Sequence, residues 1–360
     1  QKVLCVAQCH QAWAQMSAKK KRNKRRNKFR AWSTKIGLAL FTLLTAISLA
    51  GAWFVHHPKR WLEEKSNSWP GFVTEILYYF GNPAGDILDA AGLTGHDAVY
   101  EYDLPAPERS VFFAGAPKRI GPPAPEDIQI IDRGDFVIGW SSSLRHAVWC
   151  AYHVTPGENH QISGRARFQQ DKSVRNAAKP GDYAKTGFDR GHMAPNHAIS
   201  TRYGVEAQKK TFLMSNIVPQ TPSLNRGAWR EFEHRIADLW TKKWGEIWVI
   251  VGCYSDLDDR QVLPGSTDID VPERFYQIIV AQNGMDVRAL AIDMPQSTPY
   301  GAYPARNITT IDAIEKSSGL DFLPELPGFI QSPLEAELPT RLWPCRFIDI
   351  FRMLRIHFKY

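Results

Sequence analysis

Five side chains in two short segments are of the types that phosphoryl chemistry uses. The first segment is Asp189-Arg190-Gly191-His192, set inside TGFDRGHMAPN (Thr186 to Asn196). An imidazole takes up a proton near neutral pH, and a guanidinium matches the charge and shape of a phosphate. The second segment, FLMSNIVPQTPSLNRGAWREFE from Phe212 to Glu233, carries Asn216, Asn225 and Glu233. Hydrolysis of a phosphodiester calls for an activated water, a cation against the developing charge, and groups that hold the phosphate in line. The two segments together offer such parts. Taken alone, the tetrad also suits a polar surface turn, because motifs this short arise by chance. Within it, Gly191 is expected to supply a backbone conformation closed to other residues.

Positioning these groups falls to an α+β domain. DFVIGWSSSLRHAVWCAYHV reads as two β-rich runs joined by a polar turn. Further strands are predicted at EIWVIVGCY, RFYQIIVAQ and DVRALAIDM, the last two separated by an Asn283-Gly284 turn. One long helix is predicted over NRGAWREFEHRIADLWTKKW, with Trp229, Phe232, Ile236, Leu239 and Trp240 forming its buried face. Asn225 would open that helix, where asparagine is a favoured N-cap, so a capping role stands beside a ligand role. Glu233 would follow at roughly 80° around the same helix, so both can border one site, although a solvated Glu233 paired with an arginine also fits. Asn196 and His197 read as loop residues. Arg145, Arg165 and Arg167 suit phosphate contact and plain exposure equally.

The formal net charge of +7 looks like a nucleic-acid signature, but KKKRNKRRNKFR (Lys19 to Arg30) holds nine of the basic residues. Without them the remainder is about −2, so bulk charge gives no support for nucleic-acid binding. Next comes IGLALFTLLTAISLAGAWFV (Ile36 to Val55), an uncharged run of the length that spans a bilayer. It predicts a transmembrane anchor, or a signal segment cut near Ala50 to Ala52, with the bulk of the chain exported. The expected organisation is a basic segment (1–35), an anchor or signal segment (36–55), a membrane-proximal spacer (56–107), the α+β domain (108–335) and a tail (336–360). Cys5, Cys9, Cys150, Cys253 and Cys345 form no metal-ligand spacing in the exported part. Cys150 and Cys253 fall in apolar runs, where buried structural thiols are expected, and a bridge from Cys345 to either is left open.

The two segments are similar to blocks of the DNA/RNA non-specific endonucleases of the ββα-metal fold. SNIVPQ followed by LNRGAW and a helix bearing Glu233 resembles the second family block in order and spacing. VWCAYHV resembles its early strand, and ITTIDAIEKSSGLDFLPELP its closing segment. The resemblance implies a central antiparallel sheet and a long metal-site helix. It implies His192 as general base, Asn225 as the sole direct protein ligand of one Mg²⁺, and Glu233 as the group orienting metal-bound water. Arg190 would face the phosphate, Asn216 would support the site by hydrogen bonding, and Asp189 would fix the loop. Mn²⁺ is an expected substitute for Mg²⁺. The implied activity is hydrolysis of DNA and RNA with little sequence preference, leaving 5′-phosphates. The expected location is a bacterial periplasm or cell surface, with secretion after signal cleavage or a mitochondrial inner membrane as alternatives. Relatives often form homodimers. Two other readings stay open: a membrane-tethered nucleic-acid-binding protein on a nuclease scaffold, and a phosphodiesterase for another exported substrate.

Overall fold

The structure, a computed structural model, describes residues 110–157, 159–162, 164–256, 259–265, 268–302, 304–339 and 342–343, with residues 37–38, 40–53, 84, 87 and 100–101. Its centre is an eight-stranded antiparallel sheet. The strands that build it are β1 (Tyr100–Glu101), β3 (Ile128–Asp132), β4 (Phe136–Ser141), β5 (His146–Val154), β8 (Glu246–Tyr254), β9 (Arg274–Asn283), β10 (Asp286–Pro295) and β11 (Ile308–Thr309). They run in the order β1-β10-β9-β8-β5-β4-β3, with β11 also on β10. Two short ribbons accompany it. One pairs β2 (Lys118–Arg119) with β12 (Leu320–Asp321), and the other pairs β6 (Asp189–His192) with β7 (Ile217–Gln220).

Every residue of β4 and β5 is buried because helices cover both faces of the sheet. Strands of that kind read as unbroken apolar runs. Alternate residues divide between two cores. Trp140, Cys150, Tyr152, Val249 and Val251 face one side. There they meet α2 (Asn196–Thr211), α3 (Pro222–Arg226) and α4 (Ala228–His234). Val137, Trp149, Ala151 and Ile250 face the other, against α6 (Ile311–Ser318) and α7 (Gly328–Ala336). Trp149 lies so close over Gly139 that a Cβ there would stand 2.3 Å from the indole. The predicted hairpin appears as β4–β5, with Phe136 opposite Tyr152, and the predicted β9–β10 hairpin turns next to Asn283. Cys150 and Cys253 are free and buried, as expected, while Cys5, Cys9 and Cys345 lie outside the described residues.

The single long helix does not form. Gly227, at φ −101° and ψ −121°, ends α3 and starts α4. After α4 the chain winds as a π-helix over Arg235–Trp240 before α5 (Thr241–Trp244). The predicted buried face survives the break: Trp229, Phe232, Ile236, Leu239 and Trp240 are all at most 1% exposed. Part of the expected tail packs here too, since Trp240 Nε1 donates to the Trp343 carbonyl at 2.7 Å and the two rings sit 5.5 Å apart.

The expected membrane span is not supported. Residues 37–38 and 40–53, the latter forming α1, are helical, but among the described residues no helix is long and apolar enough to cross a membrane. A bilayer-spanning helix needs about 20 apolar residues, and the described residues of α1 are fewer. Residues 36, 39, 54 and 55 of the expected span lie outside the described residues, as do the whole basic segment and most of the expected spacer.

Candidate active site

The β6–β7 ribbon sets Asp189 opposite Gln220, Arg190 opposite Pro219, Gly191 opposite Val218 and His192 opposite Ile217. Successive residues of a strand point to opposite faces, so Arg190 and His192 share one face and Asp189 takes the other. The contacts agree. The Phe168 ring lies 5.1 Å from Arg190 Cζ and 5.5 Å from the His192 ring. Arg190 also donates through Nε and Nη2 to the Pro180 carbonyl, at 3.2 and 2.7 Å.

His192 is wedged between aromatic rings, with Phe212 edge-on at 5.0 Å as well as Phe168. Its Nε2 is buried and has no hydrogen-bond partner among the described residues. Burial, reinforced by the charge of Arg165, pushes the imidazole down to about 3. The ring is therefore neutral at physiological pH and able to accept a proton. Arg165 Cζ itself stands 5.3 Å from the Phe212 ring.

On the other face Asp189 binds the helix that follows. Its Oδ2 accepts from Asn225 Nδ2 at 2.9 Å and from Arg226 Nε at 2.7 Å, and its Oδ1 accepts from Arg226 Nη2 at 2.5 Å. Burial raises the Asp189 carboxyl, but the hydrogen bonds from Arg226 and Asn225 and the Arg226 charge outweigh it and leave it below its ordinary value. Because Asn225 commits its amide nitrogen to this carboxylate, its Oδ1 is turned away as an oxygen donor. Such a donor suits a hard divalent cation that keeps most of its waters. Asn225 is not the helix cap: Thr221 is, its side chain accepting from Leu224 N at 3.4 Å.

Asn216 is fully buried and its side chain is spent on the backbone. Oδ1 accepts from Ala194 N at 2.8 Å, and Nδ2 donates to the Ala194 and Thr211 carbonyls, each at 3.0 Å. With the Met193 N bond to its own carbonyl, it staples the two residues after His192. Glu233 lies on α4, half-buried, near enough to Tyr152 of β5 for its charge to add to the burial that raises that hydroxyl. Burial pushes Glu233 up to about 8. The Trp229 indole N–H, near but outside hydrogen-bond geometry, and the Arg230 charge work against it.

Asp189 and Asn225 are thus joined directly, and His192 and Arg190 share Phe168. Asn225 and Glu233 stand on separate helices either side of Gly227, not on one. The glycine of the tetrad has another reason than the one expected. Gly191 is not among the glycines at positive φ; a Cβ on it would lie 2.1 Å from Gln220 Oε1. Sequence reasoning passed over Phe168, Phe212 and Gln220. Phe212 and Gln220 lie inside the second segment, but the pattern marks neither. Phe168 sits in a polar stretch and carries no periodic signal. Arg145 is held by the Asn176 carbonyl at 3.1 Å and by Asp182 at 3.6 Å.

The sequence profile of the family described as DNA/RNA non-specific endonuclease matches residues 116–329, and so takes in all of these groups. By class the protein is a nuclease. The chain belongs to the DNA/RNA non-specific endonuclease family. It is 30% identical over 217 residues to a nuclease of Serratia marcescens, covering 58% of this chain and 79% of that protein. Human mitochondrial endonuclease G is 29% identical over 213 residues, or 55% of this chain and 70% of the relative. Mitochondrial nuclease 1 of Schizosaccharomyces pombe is 26% identical over 308 residues, or 78% of this chain and 91% of that one.

Proposed function

We propose that the protein is a divalent-metal-dependent endonuclease that hydrolyses phosphodiester bonds of DNA and RNA with little sequence preference and leaves 5′-phosphates. The observation that carries this reading is the buried imidazole of His192, whose Nε2 has no hydrogen-bond partner among the described residues, on the strand that Asp189 ties to Asn225. His192 removes the proton from the attacking water as its oxygen bonds to phosphorus and the P–O3′ bond breaks, the departing O3′ taking a proton from solvent. Arg190, backed by Phe168, offers its remaining N–H groups to the phosphate. Asn225 Oδ1 is the proposed protein ligand of Mg²⁺, with Mn²⁺ as a substitute, and the donor set fits: an oriented amide oxygen is a hard donor. When bound, the cation would supply charge stabilisation for the phosphorane-like transition state. Glu233 orients water from behind, and Asn216 keeps the turn after His192 in place. Contacts made to phosphate and sugar carry no sequence information, which accounts for weak base preference.

Relatives named as mitochondrial support a mitochondrial location rather than a bacterial membrane. The purified chain is tested on plasmid DNA and on RNA, with Mg²⁺ and with chelator, beside a His192→Ala variant. Cleavage of both substrates by the wild type alone, with binding retained by the variant, supports the reading. Two intact substrates, or a fully active His192→Ala enzyme, would overturn it.

A further inference from the structure

His197, read from sequence as a loop residue, lies in the first turn of α2 and points at the π-wound stretch after α4. His197 Nε2 is 2.7 Å from Asp238 Oδ2, and His234 Nδ1 is 2.6 Å from the same oxygen. The two imidazole rings are 6.1 Å apart, and one ligand atom from each of the three residues lies within 4.8 Å of the others. We propose that His197, His234 and Asp238 form a second metal site, made for a zinc-class transition cation and separate from the hydrated-cation site at Asn225.

The donor set decides the class of ion. Two imidazole nitrogens and one carboxylate oxygen suit Zn²⁺, whereas Mg²⁺ favours oxygen. Ligand atoms around tetrahedral zinc, at bonds of roughly 2.0–2.1 Å, stand about 3.3 Å apart. The two nitrogens need to move away from Asp238 by less than about 1 Å to reach that spacing. Side-chain rotation accommodates this, because the side chains of His197 and His234 are 54% and 28% exposed. The same exposure leaves a fourth position open to water. The π-helical winding over Arg235–Trp240 carries Asp238, and single π turns often mark functional positions.

Arg202 is a further charge near this group. It interacts with Asp238 but spends Nη2 on the Ala237 carbonyl at 2.5 Å and Nε on the Thr155 carbonyl at 2.7 Å. A bound ion would clip the helix that follows His192 to the helix that carries Glu233.

The test uses the full chain, stripped with chelator and returned to buffer containing Mg²⁺. Zinc binding is followed by calorimetry and by the shift in Tm, and Co²⁺ by its visible absorption. The expected result is one Zn²⁺ per chain, a raised Tm and a tetrahedral Co²⁺ spectrum. His197→Ala and His234→Ala should each weaken Zn²⁺ binding at least about tenfold. His197→Gln keeps a side-chain donor for Asp238, so it should fold as the wild type does while losing the metal. His192→Ala should bind zinc normally. No zinc bound by the wild type, affinity unchanged in the His197 and His234 variants, or loss of binding in His192→Ala would each overturn the assignment.

Discussion

Replacing Gly191 by alanine separates two explanations for the glycine of the tetrad. A Cβ at 191 would stand 2.1 Å from Gln220 Oε1 and 2.4 Å from its Cδ, where ordinary contact begins near 3.4 Å. Gln220 must retreat by about 1.3 Å, yet it is 1% exposed on β7. Overpacking of this kind costs about 1–3 kcal/mol, or about 2–12 °C in Tm for a domain of this size at about 2–4 °C per kcal/mol. Among the described residues, neither polar atom of the Gln220 side chain has a hydrogen-bond partner, so truncating it breaks no bond there. Gly191→Ala should therefore be rescued by Gln220→Ala. In urea unfolding followed by tryptophan fluorescence, the double variant should be no less stable than Gln220→Ala alone, a coupling of about 1–3 kcal/mol. Cleavage should fall in Gly191→Ala and return in the double variant, because His192 is the next residue on the strand. If the two penalties simply add, the side chain of Gln220 is not the reason for the glycine, and this reasoning fails.

Three further outcomes follow from the site. Asp189→Ala removes the acceptor that orients the Asn225 amide, so the Mg²⁺ concentration for half-maximal cleavage should rise about 10–100-fold; an unchanged metal requirement in a titration would count against the Asn225 role. His192 is pushed down to about 3 from an ordinary 6.5, so the unfolded chain takes up a proton between those values and the folded chain does not. Its contribution should lower stability as pH falls through that window, and the acid limb of kcat/KM that it sets should lie below about pH 5, moving up in Arg165→Met; pH–rate profiles of the two proteins check this. Glu233 is pushed up to about 8, so its ionisation costs stability above the unfolded value of 4.5, with the full cost present above 8. In chelator, Glu233→Gln should gain on the wild type by about 2–3 kcal/mol between pH 4 and pH 9, discounted for partial exposure, while losing cleavage; denaturant melts at both values measure the gap.

The sheet was readable because its strands are buried on both faces, so β5, β8, β9 and β10 stand out as apolar runs with a hairpin turn beside Asn283. The chemistry-bearing residues were readable as types at a spacing. Their supports were not. Gly227 interrupts the helix just before an apolar pattern that continues undisturbed from Trp229, so periodicity alone joins what the backbone divides. Thr221 rather than Asn225 caps α3, a difference of one turn that composition does not reveal. His197 meets Asp238 across 41 positions of chain, and the π winding that aims Asp238 has no local signature. The uncharged run at 36–55 read as a span on hydropathy and length alone, whereas the described helix covers residues 40–53 of it.

The Trp240 indole that donates to the Trp343 carbonyl governs how the protein is best trimmed for study. A fragment ending at residue 329, where the family match ends, would strip away the acceptor for an N–H sealed inside the first core and uncover the rings beneath it. An unsatisfied buried donor costs about 1–3 kcal/mol, and the lost indole of Trp343 adds to that. Shortened versions should run past Trp343, or they will report on a wounded molecule.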